Sequence, residues 1–261
     1  MDRLPIWAFF LVLVLLATAS MEAGFFWGRR AVRRNRVKKS ALGSLVATHM
    51  GLLALMLAFT FGFAAARLDT RKGLVIAEAN AIGTAALRSR LMLEPYASNV
   101  QRLLAEYTEL RAVRLPEGRI PLEVALSESH RLLVRLWVET ELASSQSEPA
   151  PEIRALFVSS VNAVIDLHTQ RITVITLGRI PPLIWLTLAA ITVLGLGSLG
   201  YENGVGSPRR SLVGIPLVLS FCSAILVIID LDRPLGTLVH VSQKPLLETL
   251  ESIAEGDSAA R

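Results

Sequence analysis

Four long apolar stretches constrain this chain more than any other feature: Leu4–Met21 (LPIWAFFLVLVLLATASM), Leu42–Ala66, Ile180–Leu199 and Leu212–Ile229. Each is about as long as a helix must be to cross roughly 30 Å of hydrocarbon. Inside a bilayer every backbone N–H and C=O must be satisfied within the protein, which leaves helices and closed barrels. No strand alternation supports a sheet, so the runs predict an all-α integral membrane protein with four transmembrane helices and the lipid bilayer as its first partner. Composition points the same way, with 52% hydrophobic and 19% charged residues, against about 25% charged in soluble domains. An ordinary soluble enzyme is disfavoured on that ground.

The first run could also be read as a secretory signal peptide, because Ala17-Thr18-Ala19 resembles a cleavage site. Its leading segment, however, balances Asp2 against Arg3, and Arg29, Arg30, Arg33, Arg34, Arg36, Lys38 and Lys39 follow it. Positive charge just beyond an apolar segment resists translocation, so a retained helix is predicted over residues 1–27, with Phe25, Phe26 and Trp27 as an interfacial anchor. A basic loop then occupies 28–41, a second membrane helix 42–66, a third 180–199 opened by Pro181-Pro182, a short connection 200–211, a fourth helix 212–229 and a tail 230–261. In this path the basic loop and Arg209-Arg210 fall on one side, which the positive-inside rule makes cytoplasmic. Both termini and the central segment 67–179 then face outward. The net charge of +5 reports orientation and gives no sign of a nucleic-acid partner.

Between the second and third runs, residues 67–179 are rich in Ala, Leu, Glu and Arg and read as a helical extramembrane domain. The second membrane helix is expected to continue without a break to Leu93, before Glu94-Pro95. Val100, Leu103, Leu104, Tyr107, Leu110 and Arg114 recur at helical spacing in the next element, which ends near Leu115-Pro116-Glu117-Gly118. Another helix spans about 121–143 with Leu122, Leu126, Leu133, Leu136 and Trp137, and a flexible loop is expected over Ser144–Pro151. A long helix then leads to Gly178.

Candidate functional residues are few. Leu55, Phe59 and Phe63 form an i, i+4, i+8 stripe on the second membrane helix, and large apolar side chains on one face can build a constriction that gates by dewetting. Packing or lipid contact explains the same stripe. Glu78, Asn80, Thr84 and Arg88 place polar groups around Gly83, with Asn80, Thr84 and Arg88 on one face and Glu78 roughly opposite. They suit either close helix–helix contact or a polar ring at a pore mouth. Asp230, Asp232 and Arg233 follow the fourth run at the membrane edge, as a helix-ending ion-pair knot or a cation site. Asn162, Asp166 and Arg171 read as interhelical contacts, and His49 inside the second run as a packing or interfacial residue. With one cysteine, Cys222, and four dispersed histidines, no disulfide, metal site or cofactor is expected. No nucleophile elbow, phosphate loop or zinc motif is visible, so an enzyme is not expected.

Three ordered blocks carry a family resemblance: Leu52–Tyr96 (LLALMLAFTFGFAAARLDTRKGLVIAEANAIGTAALRSRLMLEPY), Asn162–Trp185 (NAVIDLHTQRITVITLGRIPPLIW) and Asp230–Leu246 (DLDRPLGTLVHVSQKPL). Together they resemble the bestrophin-like membrane family of bacteria and plants, a domain of unknown function distantly similar to bestrophins. Bestrophins are pentameric anion channels whose second membrane helix lines the pore with a hydrophobic neck. The resemblance thus implies a multi-pass protein, of the inner membrane in a bacterium, forming a homo-oligomer that conducts anions such as chloride. Leu55, Phe59 and Phe63 are then the neck candidates. It also implies cytoplasmic termini and soluble helices, opposite to the charge rule. The residues themselves leave a second function open, a non-conducting membrane scaffold or sensor whose helical domain binds a protein partner.

Overall fold

The structure, a computed structural model, describes residues 5–34, 42–115, 119–176, 178–206, 214–233 and 238–259. Arg36, Lys38, Lys39, Pro116-Glu117-Gly118, Ser207-Pro208, Arg209-Arg210 and Pro234 lie outside them. Among the described residues eight α-helices follow in order: α1 Ile6–Arg33, α2 Leu42–Ser89, α3 Tyr96–Glu109, α4 Leu122–Ser144, α5 Pro151–Thr176, α6 Pro182–Gly206, α7 Gly214–Asp232 and α8 Lys244–Ala259. A π-helical turn, Leu110–Arg114, extends α3. The chain forms two compact units, one of Met1–Leu68 with Arg179–His240 and one of Asp69–Gly178 with Val241–Arg261.

The first unit holds the apolar runs, and α1, α2, α6 and α7 are each long and apolar enough to cross a membrane. Residues 17–19 lie inside α1, and Ala17 is buried against Leu196, Val218 and Cys222. Along α1 and α6 the contacts climb together: Met21 meets Gly200, Phe25 meets Gly204 and Gly28 meets Tyr201. The two helices are therefore parallel, as a path of four consecutive crossings requires. Glycines permit the approach. A methyl group on Gly24 would land on the Gly197 carbonyl oxygen, and one on Gly200 or Gly204 on the Met21 or Phe25 carbonyl. Small residues four apart are the device by which membrane helices come close without a hydrophobic drive.

Tertiary packing also moves helix ends. The connection expected at 200–211 starts later, because α6 continues to Gly206 with Gly204 seated against α1. The basic loop expected from 28 likewise begins beyond α1, which carries Arg29, Arg30 and Arg33 on its last turns, where basic side chains complement the helix dipole. Phe25, expected in an interfacial anchor, is buried, whereas Phe26 and Trp27 are exposed. A second cluster joins Leu53, Leu57 and Ala64 of α2 to Ile180, Leu188, Ile225, Ile228 and Leu231.

The second unit is a helical core. On α3 the positions Val100, Leu103, Leu104 and Tyr107 are buried at helical spacing, on α4 Leu133, Leu136 and Ala143, and on α5 Phe157, Val161 and Val164. Helix α3 packs on α4 and α8, and α4 on α5. Helix α2 ends at Ser89 rather than Leu93. Turn hydrogen bonds from Leu91 N–H to Arg88 O (3.1 Å) and from Met92 N–H to Ser89 O (3.0 Å) replace its last turn and bring Met92 into the core. The Ser144–Pro151 connection is tied down, not free. Arg154 donates to the Ser144 carbonyl at 2.9 Å and to that of Gln146, and Gln146 Nε2 donates to the Tyr96 hydroxyl at 3.2 Å. Within the tail, residues 244–259 form a helix whose Leu246 and Ile253, two turns apart, join this core.

Candidate functional site

Two arrangements carry functional interest, one in each unit. In the first unit Leu55, Phe59 and Phe63 sit on one face of α2 and are 51%, 57% and 56% exposed. Their neighbours Leu53 and Leu57 point the other way into the cluster with α6 and α7. Phe61 is also exposed, at 48%. Only 22% of the most apolar 18-residue stretch of α2 is buried within the chain, so most of that stretch is left uncovered by the other helices. His49 keeps to its own helix, its Nδ1 3.0 Å from the Leu45 carbonyl.

At the end of α7 the acidic pair is used structurally. Asp230 is buried and accepts backbone N–H bonds from Leu238 and Val239, both at 2.9 Å. Asp232 accepts from Arg67 at 3.1 Å and from the Ile180 N–H at 2.9 Å, tying α2 and the start of α6 to α7. Arg233 stacks 5.0 Å from the Phe9 ring centroid. Among the described residues no group of three or more His, Cys, Asp or Glu side chains is placed to hold a metal ion.

Polar residues of the second unit separate into two sets. Asn80 and Thr84 are exposed, Thr84 bonding back to the Asn80 carbonyl at 2.9 Å, and Arg88 donates to the Leu156 carbonyl at 2.7 Å. Asn162 and Asp166 pair with each other at 3.0 Å along α5. Glu78 is 0% exposed, away from any open surface where a pore mouth would need it. It lies at the centre of a buried cluster that joins α2, α3, the π turn and α5. Tyr107 donates its hydroxyl to Glu78 Oε1, Arg171 pairs with Glu78 Oε2, and Arg111 Nε stands 3.7 Å from Oε1. His168 Nδ1 is 2.9 Å from the Tyr107 oxygen. Because the single Tyr107 proton goes to Glu78, the hydroxyl oxygen accepts, and His168 is the neutral tautomer with hydrogen on Nδ1. Arg171 reaches further, to Gln243 Oε1 at 3.4 Å ahead of α8.

The electrostatics follow from burial. Burial pushes the Glu78 carboxyl up, but Arg111 and Arg171, with hydrogen bonds from Tyr107 and Arg171, hold it below its ordinary value. Burial first and Glu78 second push the Tyr107 hydroxyl well up. Burial, reinforced by Arg111, pulls His168 down to about 4, so it is neutral near pH 7. Of these residues the sequence marks Glu78 and, as an interhelical contact, Arg171. Tyr107 reads there as an apolar position, and nothing local in the sequence marks Arg111 or His168.

A bestrophin-like domain model matches residues 12–246, nearly the whole chain. The chain belongs to the bestrophin-like family. No curated protein matches it. Solved structures agree on the fold. A mutant of a bacterial bestrophin homologue from Klebsiella pneumoniae superposes with a TM-score of 0.68 at 14% identity, covering 96% of each chain. Another mutant of that homologue gives 0.68 at 14%, covering 98% of this chain and 99% of the other. The homologue phased on zinc gives 0.67 at 14%, covering 95% and 96%. This bestrophin-like protein is thus an all-α membrane protein, and at such identities the likeness speaks for fold alone.

Proposed function

We propose that this bestrophin-like protein assembles as a homo-oligomer in the bacterial inner membrane and conducts anions, chloride among them, through a pore lined by α2. The observation that carries the reading is the unpartnered α2 face, with Leu55, Phe59 and Phe63 each more than half exposed at i, i+4, i+8 spacing. A ring of such faces, one from each protomer, makes a hydrophobic constriction that passes weakly hydrated ions when wet and closes by dewetting. Bestrophins are anion channels, and the family model includes α2 whole. Fold alone does not fix function, so the site has to be tested.

Planar-bilayer recording of the purified protein is that test. Chloride-selective current is expected, and Phe59→Ala or Phe63→Ala should widen the neck and change conductance or gating. Silence from a well-folded oligomer in chloride would overturn the proposal and favour a non-conducting scaffold or sensor.

A further inference from the structure

Arg111 is the least explained side chain in the second unit. It is 1% exposed, yet its Nε, Nη1 and Nη2 all lack a hydrogen-bond partner among the described residues. Its only ion-pair contact there is Glu78 at 3.7 Å, and that carboxylate already bonds to Arg171 and Tyr107. Charge in the cluster does not balance: two guanidiniums face one carboxylate, while Tyr107 and His168 are neutral. A buried positive charge with unmade hydrogen bonds is costly unless an anion or an acceptor meets it. Arg111 also lies on the π-helical turn Leu110–Arg114, and π turns are rare and frequently found at functional sites.

We propose that Arg111 binds a small monovalent inorganic anion of chloride's class inside the second unit, making the Glu78–Arg171–Arg111 cluster neutral. Charge sets the valence, since one positive charge is in excess. Size follows from burial, because Arg111 is itself 1% exposed and a side chain of another protein does not reach its guanidinium. Five N–H donors and no acceptor make guanidinium a natural anion ligand. Such a site would be occupied whether or not α2 conducts, and it couples the folding of the helical unit to the surrounding anion.

Thermal unfolding of the purified full-length protein, titrated with sodium chloride against sodium gluconate at constant ionic strength, tests it. Wild type should gain about 3–5 °C in Tm for each tenfold rise in chloride above its Kd. Arg111→Met should lose that dependence. No chloride effect beyond gluconate, or an equal effect in Arg111→Met, overturns the proposal. Should Arg111→Met fail to fold, crystals of the wild type grown in sodium bromide decide: an anomalous peak at hydrogen-bond distance from the Arg111 guanidinium supports the site, and none there overturns it. Neither readout measures current, so either result stands apart from conduction.

Discussion

Glu78 holds two guanidiniums that have no other carboxylate among the described residues, so its charge matters more than its size. Glu78→Gln keeps the shape and removes the charge, leaving Arg111 and Arg171 buried together. Breaking a buried ion pair from one side costs roughly 3–5 kcal/mol. Denaturant or thermal unfolding of the variant should show a loss of that order, whereas Glu106→Gln, which breaks the exposed Arg102–Glu106 pair, should cost less than about 1 kcal/mol. His168 sets an acid limit. Its folded value is near 4 against an ordinary 6.5, so between those values the unfolded chain binds a proton that the folded chain refuses. Its contribution is complete above pH 6.5 and is lost as pH falls toward 4, with a slope of up to about 1.4 kcal/mol per pH unit. Tm measured from pH 7 to pH 4 should fall less steeply in His168→Gln than in wild type.

Helices α1 and α6 approach through Gly24, Gly28, Gly197, Gly200 and Gly204, and the atoms a methyl group would strike are largely backbone atoms, which cannot swing aside. Gly200→Ala should therefore part the helices and cost on the order of 1–3 kcal/mol, the usual penalty of overpacking. Gly51→Ala, with nothing within 4 Å of its added carbon, should change stability by no more than about 0.5 kcal/mol. Unfolding of both variants in detergent, side by side, checks the difference. Element boundaries were partly legible in the sequence. Length and hydropathy mark the membrane helices because lipid acts on each run separately. The ends of α2 and α6 were not legible, since Met92 entering the core and Gly204 entering the α1 contact are decided by residues far along the chain. Helix α8 was missed for a related reason: its apolar face is short, and only Leu246 and Ile253 meeting the core of α2 to α5 make it worth forming.

For the whole molecule the predicted observable is mass. In the proposed channel, the exposed stripe of large apolar side chains on α2 packs with its own copies around a closed ring, the arrangement that repeats one interface without leaving an edge. Light scattering with detergent correction should give an integer multiple, greater than one, of the 28.4 kDa chain. A single-chain mass would overturn the proposed pore, because one α2 cannot enclose a channel. Neither the ordered blocks of family sequence nor the four apolar runs fix the number of copies. That depends on the angle between neighbouring faces, which no single chain encodes in its local pattern.

By itself the sequence determined the membrane class, the four spans, the helical character of the intervening segment and the family. All four rest on hydropathy, propensity and ordered blocks, which act over one turn or one bilayer thickness. Only the tertiary structure decided which polar residues meet. Glu78 stands 29 positions from Tyr107 and 93 from Arg171, and no periodicity within a helix relates residues so far apart. Folding α2, α3, the π turn and α5 into one core removes them from water together. That shared burial turns ordinary helix residues into a charged cluster with one guanidinium left over.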